Sequence, residues 1–306
     1  MSRIFARRFG FAAVAAASLV AGRMALAADK AARSPSASTA LPSSSLRLTS
    51  AALASQPEPT QQTTTVRVVE SDESWEIDGP VFLRSADPEE PGELVVKNIF
   101  GWEHHREGAD NQRDQYEYEL EIEYGLVEDH ELIFEVPFQV GDARVEGNGD
   151  LTIGWHWRLF DEVGSHPAVA LRNFVRLPTG VDSNGVDYEL RGLITKTITP
   201  GCTRLHLNPF AKSVNGDNEE EARHFRWGAA VGFDHHLRDD LLLIADYIYS
   251  NGEEEHTRDN HEAELGIDWE LDERQELGIA ATVGLDGDTN EAAFGARISY
   301  MLHFGG

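Results

Sequence analysis

The sequence predicts an all-β protein: an antiparallel, up-and-down transmembrane β-barrel of about twelve strands that follows a disordered amino-terminal tail. Three observations predict this fold. Apolar and polar residues alternate along most of the chain after residue 94, the alternating runs are similar in length, and longer connections alternate with shorter ones. Strands of about ten residues with this loop pattern are typical of bacterial outer-membrane barrels, which face lipid outside and enclose a polar interior.

The clearest alternation lies within residues 116–124, where aromatic and aliphatic residues take every second position and glutamates take the others. Because a strand points successive side chains to opposite faces, one face of this run is apolar and the other carries carboxylates. Runs of this kind predict strands at 94–104, 114–125, 130–140, 149–160, 167–177, 187–198, 203–212, 224–234, 240–250, 261–271, 276–286 and 291–304.

The connections give an independent test of the topology. If the barrel begins in the periplasm, the first connection and every second one after it are outer loops, and the others are periplasmic turns. The outer set is mostly longer and rich in Gly, Asn, Asp and Glu, whereas Pro200-Gly201 is a turn signal in the inner set. A soluble β-sandwich also alternates and is the competing fold. The predicted outer loops are 105–113, 141–148, 178–186, 213–223, 251–260 and 287–290, and the inner turns are 126–129, 161–166, 199–202, 235–239 and 272–275.

Composition excludes several classes of protein. The chain of 306 residues carries 26 Lys and Arg against 53 Asp and Glu, a formal charge of −27, and its one cysteine is Cys202. A lone cysteine has no intrachain partner, which excludes a disulfide framework. Nucleic acid is not expected as a partner, because phosphate binding depends on clustered Lys and Arg. The mean hydropathy of −0.38 excludes a helical membrane protein.

The amino-terminal third divides into three predicted segments. Residues 1–27 have the basic start, short apolar run and small-residue cleavage pattern of a secretory signal peptide. Residues 28–65 are rich in Ser, Ala, Pro, Thr and Gln and contain no aromatic residue, so we expect a disordered tail. Residues 66–93 form a periplasmic lead-in segment that either docks on the barrel or enters it. The barrel itself covers residues 94–306.

The carboxyl end predicts the location of the protein. Apolar residues precede Phe304 at two-residue steps, which resembles the terminal strand that the outer-membrane assembly machinery recognises, although Gly305 and Gly306 follow it here. We therefore expect secretion through the inner membrane and residence in the outer membrane of a Gram-negative-type bacterium. The expected partners are outer-membrane lipid and lipopolysaccharide, the assembly machinery and a small-molecule solute.

Four consecutive segments also resemble a known family. Residues 147–154 read Gly-Asn-Gly-Asp-Leu-Thr-Ile-Gly, 157–162 read Trp-Arg-Leu-Phe-Asp-Glu, 167–171 read Pro-Ala-Val-Ala-Leu and 176–180 read Arg-Leu-Pro-Thr-Gly. They are similar to the G-x-G-D strand, Y-R-L-x-D-E turn, P-A-x-A-L strand and L-P-T-G loop of the MetA-pathway of phenol degradation family, outer-membrane barrels often described as transporters. The resemblance implies a twelve-stranded barrel over residues 94–304 and passage of hydrophobic or aromatic compounds, and it supplies no catalytic motif.

Charged residues segregate on the faces predicted to line the lumen. Acids collect on the second, third and tenth predicted strands and bases on the fourth to eighth. Opposed charges across a narrow passage orient polar or dipolar solutes. The competing interpretation is that these charges pair and fill the barrel. The candidate selectivity residues are Glu117, Glu119, Glu121, Glu123, Glu135, Arg158, Arg172, Arg176, Arg191, Arg226, Glu264 and Asp268.

These features predict a channel or transporter for small molecules, with the substrate left open. The alternative is a closed structural or adhesion barrel whose acidic loops bind divalent cations and lipopolysaccharide, and a lipid-modifying barrel enzyme is a third option. No cofactor is predicted, and no metal site, because residues 286–291 lack the rest of a calcium loop. No catalytic residue is predicted either, since the nearest candidates, Ser299 and His303, lie about 13 Å apart along one strand.

Overall fold

The structure, a computed structural model, describes residues 79–105, 114–141, 147–181, 183–215, 223–252, 256–286 and 292–305. The predicted signal peptide, the predicted disordered tail and the first part of the lead-in segment lie outside these residues. The strands of the described residues are β1 (Leu94–His105), β2 (Asp114–Val127), β3 (His130–Gly141), β4 (Gly147–Asn148), β5 (Leu151–Phe160), β6 (Ala168–Leu177), β7 (Asp187–Thr199), β8 (Thr203–Ser213), β9 (Phe225–Arg238), β10 (Leu241–Ser250), β11 (Asn260–Asp272), β12 (Gln275–Asp286) and β13 (Ala292–Phe304).

Twelve of these strands close into one antiparallel barrel. β1 pairs with both β2 and β13, which joins the two ends of the sheet. The two-residue strand β4 pairs only with β3, at Phe138 and Gln139. The predicted twelve-stranded transmembrane-type barrel is therefore confirmed. The competing sandwich is excluded, because a sandwich requires two separate sheets and the strands of the described chain form a single closed one.

Most strand boundaries lie within two residues of the prediction, and two runs differ in an informative way. The run predicted at 149–160 begins at Leu151, and the short strand β4 precedes it inside the predicted loop 141–148, because Pro137 on β3 has no N–H with which to continue the ladder between them. The run predicted at 224–234 continues to Arg238, since the His235-His236 pair lies within the strand and a register shift at Leu241 accommodates it.

The outward face of the barrel is apolar and aromatic. Large side chains that a soluble protein would bury are exposed, such as Phe100 at 55% and Trp227 at 49%. Two girdles of aromatic side chains with an apolar band between them are what a barrel presents to the two interfaces of a membrane. Exposed aromatic residues lie near one end of the strands at Tyr116, Tyr188, Phe225 and Trp227, and near the other at Tyr124, Trp157, Phe160 and Trp269. None of the described residues forms a helix long and apolar enough to cross a membrane.

The two ends of the barrel differ in their connections. The start of β1 and the end of β13 lie at the end that carries the shorter connections, which we call the turn end. The opposite end, with the longer connections, is the loop end. At the turn end Gly201 takes the left-handed conformation with φ of 65°, as the Pro-Gly signal predicts. The connections at the turn end are 128–129, 161–167, 200–202, 239–240 and 273–274.

Residues 79–93, which we call the lumen segment, lie inside the barrel up to Glu89 and are exposed at 90–92. The side chains of Val81, Leu83 and Ala86 are no more than 2% exposed. The segment leaves through the turn end, where the Gly92 N–H donates to the carbonyl of Gly125 at 2.7 Å. Gly125 has to be glycine, because a Cβ there would lie 1.9 Å from the carbonyl oxygen of Glu90. Of the two alternatives for the lead-in segment, its described part enters the barrel.

Candidate functional site in the barrel interior

Side chains of the barrel wall hold the lumen segment by its backbone. Five of its N–H groups donate to inward-pointing acceptors on five different strands, so the segment is bound across the lumen rather than added to the sheet. Backbone N–H groups buried away from water require such acceptors. The bonds run from Phe82 to Glu264 at 2.6 Å, Leu83 to Asp246 at 3.1 Å, Arg84 to Asn208 at 2.8 Å, Ala86 to Thr195 at 2.9 Å and Glu89 to Glu131 at 3.1 Å.

Apolar contacts secure the same segment. Val81 and Leu83 pack against inward-pointing residues of β9, β10 and β12, including Leu242 and Ile244. Ala86 packs against Leu193 and two inward-pointing alanines of β6. The sequence carries a signal for this contact, because residues 241–244 are four consecutive apolar residues. A strand that is apolar on both faces is covered on both faces.

A charged cavity of about 260 Å³ lies between the lumen segment and the loop end. Residues 79–82 and Arg84 line its turn-end side. The side of the cavity that β2 and β3 form carries acids, and the facing side, from β6, β7 and β8, carries mostly bases, with Asp187 and Glu189 among them. Arg297 of β13 also lines the cavity, next to the acidic side. The acidic wall consists of Glu117, Glu119, Glu121 and Glu135, and the basic wall of Arg172, Arg176, Arg191 and Lys212.

Seven of the predicted selectivity residues line this cavity: Glu117, Glu119, Glu121, Glu135, Arg172, Arg176 and Arg191. The other five point inward but lie elsewhere. Arg158 is at the turn end, where it pairs with Asp129 at 2.6 Å and with Asp87 of the lumen segment at 3.4 Å. Glu264 binds the lumen segment and Arg297. Asp268 lies against Gly79, Arg226 lies opposite Lys212 in the register of β8 and β9, and Glu123 lies in an ionic cluster described next.

A buried ionic cluster lies on the turn-end side of the acidic wall. Lys97, with a fully buried side chain, pairs with Glu123 and lies 3.9 Å from Glu121. Arg172 pairs with Glu123 at 2.5 Å and with Glu131 at 3.1 Å. Part of the predicted charge set therefore fills the barrel, as the competing interpretation held, while another part lines an open cavity. The alternation predicts that Glu123 and Arg172 point inward, but the pairing depends on their height in the barrel.

One chain of hydrogen bonds links a hydroxyl, an imidazole and a carboxylate, in the order found in a catalytic triad. Thr195 Oγ1 bonds to His206 Nδ1 at 3.0 Å, and His206 Nε2 bonds to Asp234 at 3.2 Å. However, the same Thr195 oxygen accepts the Ala86 N–H, and Asp234 also binds Arg204. The chain thus supports the lumen segment.

Two motifs of the sequence meet at the rim of the loop end. Asp150 accepts bonds from the N–H groups of Thr179 at 3.1 Å and Gly180 at 2.9 Å, and from the hydroxyl of Ser183 at 2.7 Å. The Gly-Asn-Gly-Asp segment is thereby held against the Leu-Pro-Thr-Gly loop. Together they wall a second cavity, of about 270 Å³, between this rim and β3.

Three side chains at the turn end have the spacing of metal ligands. One donor atom from each of Glu89, Glu93 and His303 lies within 4.8 Å of the others. His303 Nδ1 already lies 3.2 Å from Glu93 Oε1, which accounts for their proximity. We assign no ion to this group.

The closed wall, apolar exterior, charged interior and threaded lumen segment define a transmembrane β-barrel of the outer-membrane type. An outer-membrane channel from Pseudomonas putida F1 has a similar structure, with a TM-score of 0.57 and 13% identity over 72% of this chain and 98% of that one. The NanC porin is also similar, with a TM-score of 0.50 and 11% identity over 68% of this chain and 98% of the porin. These likenesses show the fold. No family model and no curated protein sequence matches the chain, so the resemblance to the phenol-degradation family stays a prediction.

Proposed function

We propose that this chain is an outer-membrane channel for small polar solutes, closed on its turn-end side by the lumen segment. The observation that carries the proposal is the cavity between the acidic and basic walls, which the lumen segment borders. Opposed rows of fixed charge create a transverse field in a narrow passage, and this field favours polar and dipolar solutes. Such a lining argues against the hydrophobic or aromatic compounds that the family resemblance implies.

The lumen segment is suited to act as the closing element. Inside the barrel its backbone bonds are made to side chains, and its bonds to the wall backbone lie at the turn end, at Gly125. The inner part can therefore shift without breaking the ladder of the barrel wall. A neutral hydrogen bond contributes about 0.5–1.5 kcal/mol net and a bond to a carboxylate about 1.5–3 kcal/mol. Because the bonds are separate and go to different strands, they can break and reform one at a time. We infer that solutes pass when the segment moves aside.

The orientation of the barrel in the membrane follows from the same proposal. The turn end faces the periplasm and the loop end faces the exterior of a Gram-negative-type cell, with outer-membrane lipid and lipopolysaccharide around the aromatic girdles. The last strand, β13, is the element by which the assembly machinery would take up the chain. We propose no catalytic step, because the hydrogen-bond chain at Thr195 is engaged in binding the lumen segment.

The first test is ion selectivity in planar bilayers, with protein that lacks residues 1–27. Glu119→Gln and Lys212→Gln each remove one ionisable group from opposite sides of the cavity. We expect the first to lower cation preference and the second to lower anion preference. Glu273→Gln, at an exposed turn position, is the control. Steady currents with unchanged selectivity in both variants would contradict the proposed lumen.

The second test locks the lumen segment to the wall. A Cβ on Gly266 would lie 2.9 Å from Val81 Cγ1, so Val81→Cys with Gly266→Cys brings two thiols within the reach of a disulfide. In a Cys202→Ser background, oxidation should abolish the currents and reduction should restore them. Cys202→Ser alone is the control. Currents that persist after complete cross-linking would show that solutes pass without movement of the segment.

The alternative of a closed structural barrel is favoured by one observation, the buried ionic cluster around Lys97 and Glu123. A heat-resistant barrel that does not conduct, even in variants with weakened bonds to the lumen segment, would support this alternative. Adhesion through acidic loops concerns residues that lie mostly outside the described chain. Release of fatty acid from phospholipid vesicles would favour the enzyme option.

A further inference from the structure

The two cavities of the barrel have two lining residues in common. The inner cavity, of about 260 Å³, borders the lumen segment. The outer cavity, of about 270 Å³, lies next to the rim formed by residues 147–150, 180–181 and 183. Among the described residues, Glu117 and Arg176 line both. They are therefore the side chains at the junction between the cavities.

These two residues carry opposite charges and do not bond to each other. Glu117 forms no ion pair within 4.0 Å with any residue of the described chain, and the charged partner of Arg176 is Asp187, at the limiting distance of 4.0 Å. Both side chains are partly exposed to the lumen. The junction therefore has, on one side, a carboxylate without an ion pair to the described residues and, on the other, a weakly engaged guanidinium.

Charges of the same sign lie near each pole, and the opposite charges close by are engaged with other partners. Glu119 and Glu135 line the inner cavity with Glu117, and Lys212 lines it with Arg176. Arg297, next to Glu117, pairs with Glu103 and Glu264, and Glu189 of the basic side pairs with Arg191. The acid nearest the outer cavity, Asp150, has its oxygens occupied by hydrogen bonds from the rim. The basic pole of the junction thus keeps its charge toward the lumen.

We propose that the junction binds small zwitterionic solutes, with an ammonium group at Glu117 and a carboxylate at Arg176. A guanidinium binds a carboxylate through two parallel hydrogen bonds, and a carboxylate accepts charge-assisted bonds from an ammonium. A solute with one charge satisfies only one pole and meets like charge near the other. The inference rests on the proposed channel for its biological route, whereas the binding itself requires no passage.

The test uses four solutes with the same three-carbon skeleton: β-alanine, propionate, propylamine and propionamide. Saturation-transfer NMR with the refolded protein in detergent reads their binding without requiring transport. We expect the strongest signal from β-alanine and a loss of its affinity of about tenfold in both Glu117→Gln and Arg176→Gln. Arg176→Lys keeps the charge but loses the paired geometry and should be intermediate. Arg238→Gln, in an exposed pair at the turn end, is the control.

Swelling of proteoliposomes in the same solutes separates this inference from the proposed function. Equal binding of all four solutes, or β-alanine binding that survives both Gln variants in folded protein, would overturn the zwitterion site even if the channel conducts. Selective binding without swelling by any solute would support the site and count against the channel. Folding of each variant is verified by its heat-modifiable migration on gels.

Discussion

The backbone N–H of Ala86 donates a 2.9 Å hydrogen bond to the side-chain oxygen of Thr195, deep inside the barrel. Thr195→Val keeps the shape of the side chain but leaves this N–H without its acceptor. A buried N–H without a partner costs about 1–3 kcal/mol, so the closed state should weaken by that amount. We expect open events in bilayer recordings to become about tenfold more frequent, because 1.4 kcal/mol corresponds to a factor of ten.

The matched control for this prediction is Thr203→Val. Thr203 also bonds to a histidine, at 2.8 Å from His235 Nδ1, but it lies at the turn end of β8. The two variants therefore lose the same kind of threonine–histidine bond, and Thr195 alone of the two bonds to the lumen segment. An equal effect of both substitutions on opening would contradict the assigned role of Thr195.

The buried ionic cluster predicts a large loss of stability when one cation is removed. Arg172→Met leaves Glu123 and Glu131 buried without their shared guanidinium. Removing one partner of a buried ion pair costs about 3–5 kcal/mol, mainly through the charge left uncompensated. The free energy of unfolding in urea, followed by tryptophan fluorescence, measures this loss.

Arg238→Met provides the comparison for the cluster. Arg238 pairs with Asp240 at 3.1 Å, and both side chains are about half exposed. Pairs of this kind contribute about 0–1 kcal/mol, so the control variant should unfold almost as the parent does. If both arginine variants lost the same stability, the cluster would have no special role.

The barrel could be predicted because each strand carries its own signal. The alternation at residues 116–124 depends only on the pleat, and a closed barrel repeats that local signal around the ring. The lumen segment has no such signal. Its backbone is satisfied by single side chains, such as Asp246 and Asn208, from strands that are far apart in sequence. No pattern within residues 79–93 identifies these partners.

The candidate site was predictable only in part, for a related reason. Period-two alternation identifies which charges point inward, including Glu119 and Arg176. It does not give the height of a residue relative to residues across the lumen. Lys97 lies on a strand with few charges, so the sequence did not indicate its ion pair with Glu123. Because of this pair, Glu123 does not line the open cavity.

Glu162 predicts a pH dependence of stability at the turn end. Partial burial acts to raise its pKa, but bonds from the Lys196 ammonium at 2.6 Å and the Thr197 N–H at 2.8 Å hold the pKa below its ordinary value of 4.5. A lowered carboxyl pKa contributes stability that is present above the unfolded value and is lost as the pH falls through the folded one.

The measurement for Glu162 is the unfolding midpoint as a function of pH. Glu162→Gln should be less stable than the parent above pH 4.5, and the difference should shrink as the pH falls below that value. The effect is small because the side chain is partly exposed, so that solvent screens its ion pair with Lys196. Glu273→Gln, in the exposed turn 273–274, should show no comparable convergence. A difference that grows on acidification would contradict the prediction.

One carboxylate makes three of the hydrogen bonds that hold the rim at the loop end. Asp150 accepts the N–H groups of Thr179 and Gly180 and the hydroxyl of Ser183. Asp150→Ala removes all three bonds, and each hydrogen bond to a charged group contributes about 1.5–3 kcal/mol. The Gly180 amide should then exchange with deuterium at least about tenfold faster, while the ladder of β5 and β6 stays protected. The effect at Thr179 should be smaller, because its N–H also bonds to the carbonyl of Leu177.

Asp150→Asn separates the geometry of this rim from its charge. The asparagine oxygen can still accept the two backbone bonds, and its NH₂ group can donate to the Ser183 hydroxyl. Exchange at Thr179 and Gly180 should therefore rise much less than in Asp150→Ala. The outer cavity is walled by these segments, so the alanine variant should also widen the distribution of single-channel currents. Unchanged exchange in Asp150→Ala would mean that the two motifs are held together by contacts other than Asp150.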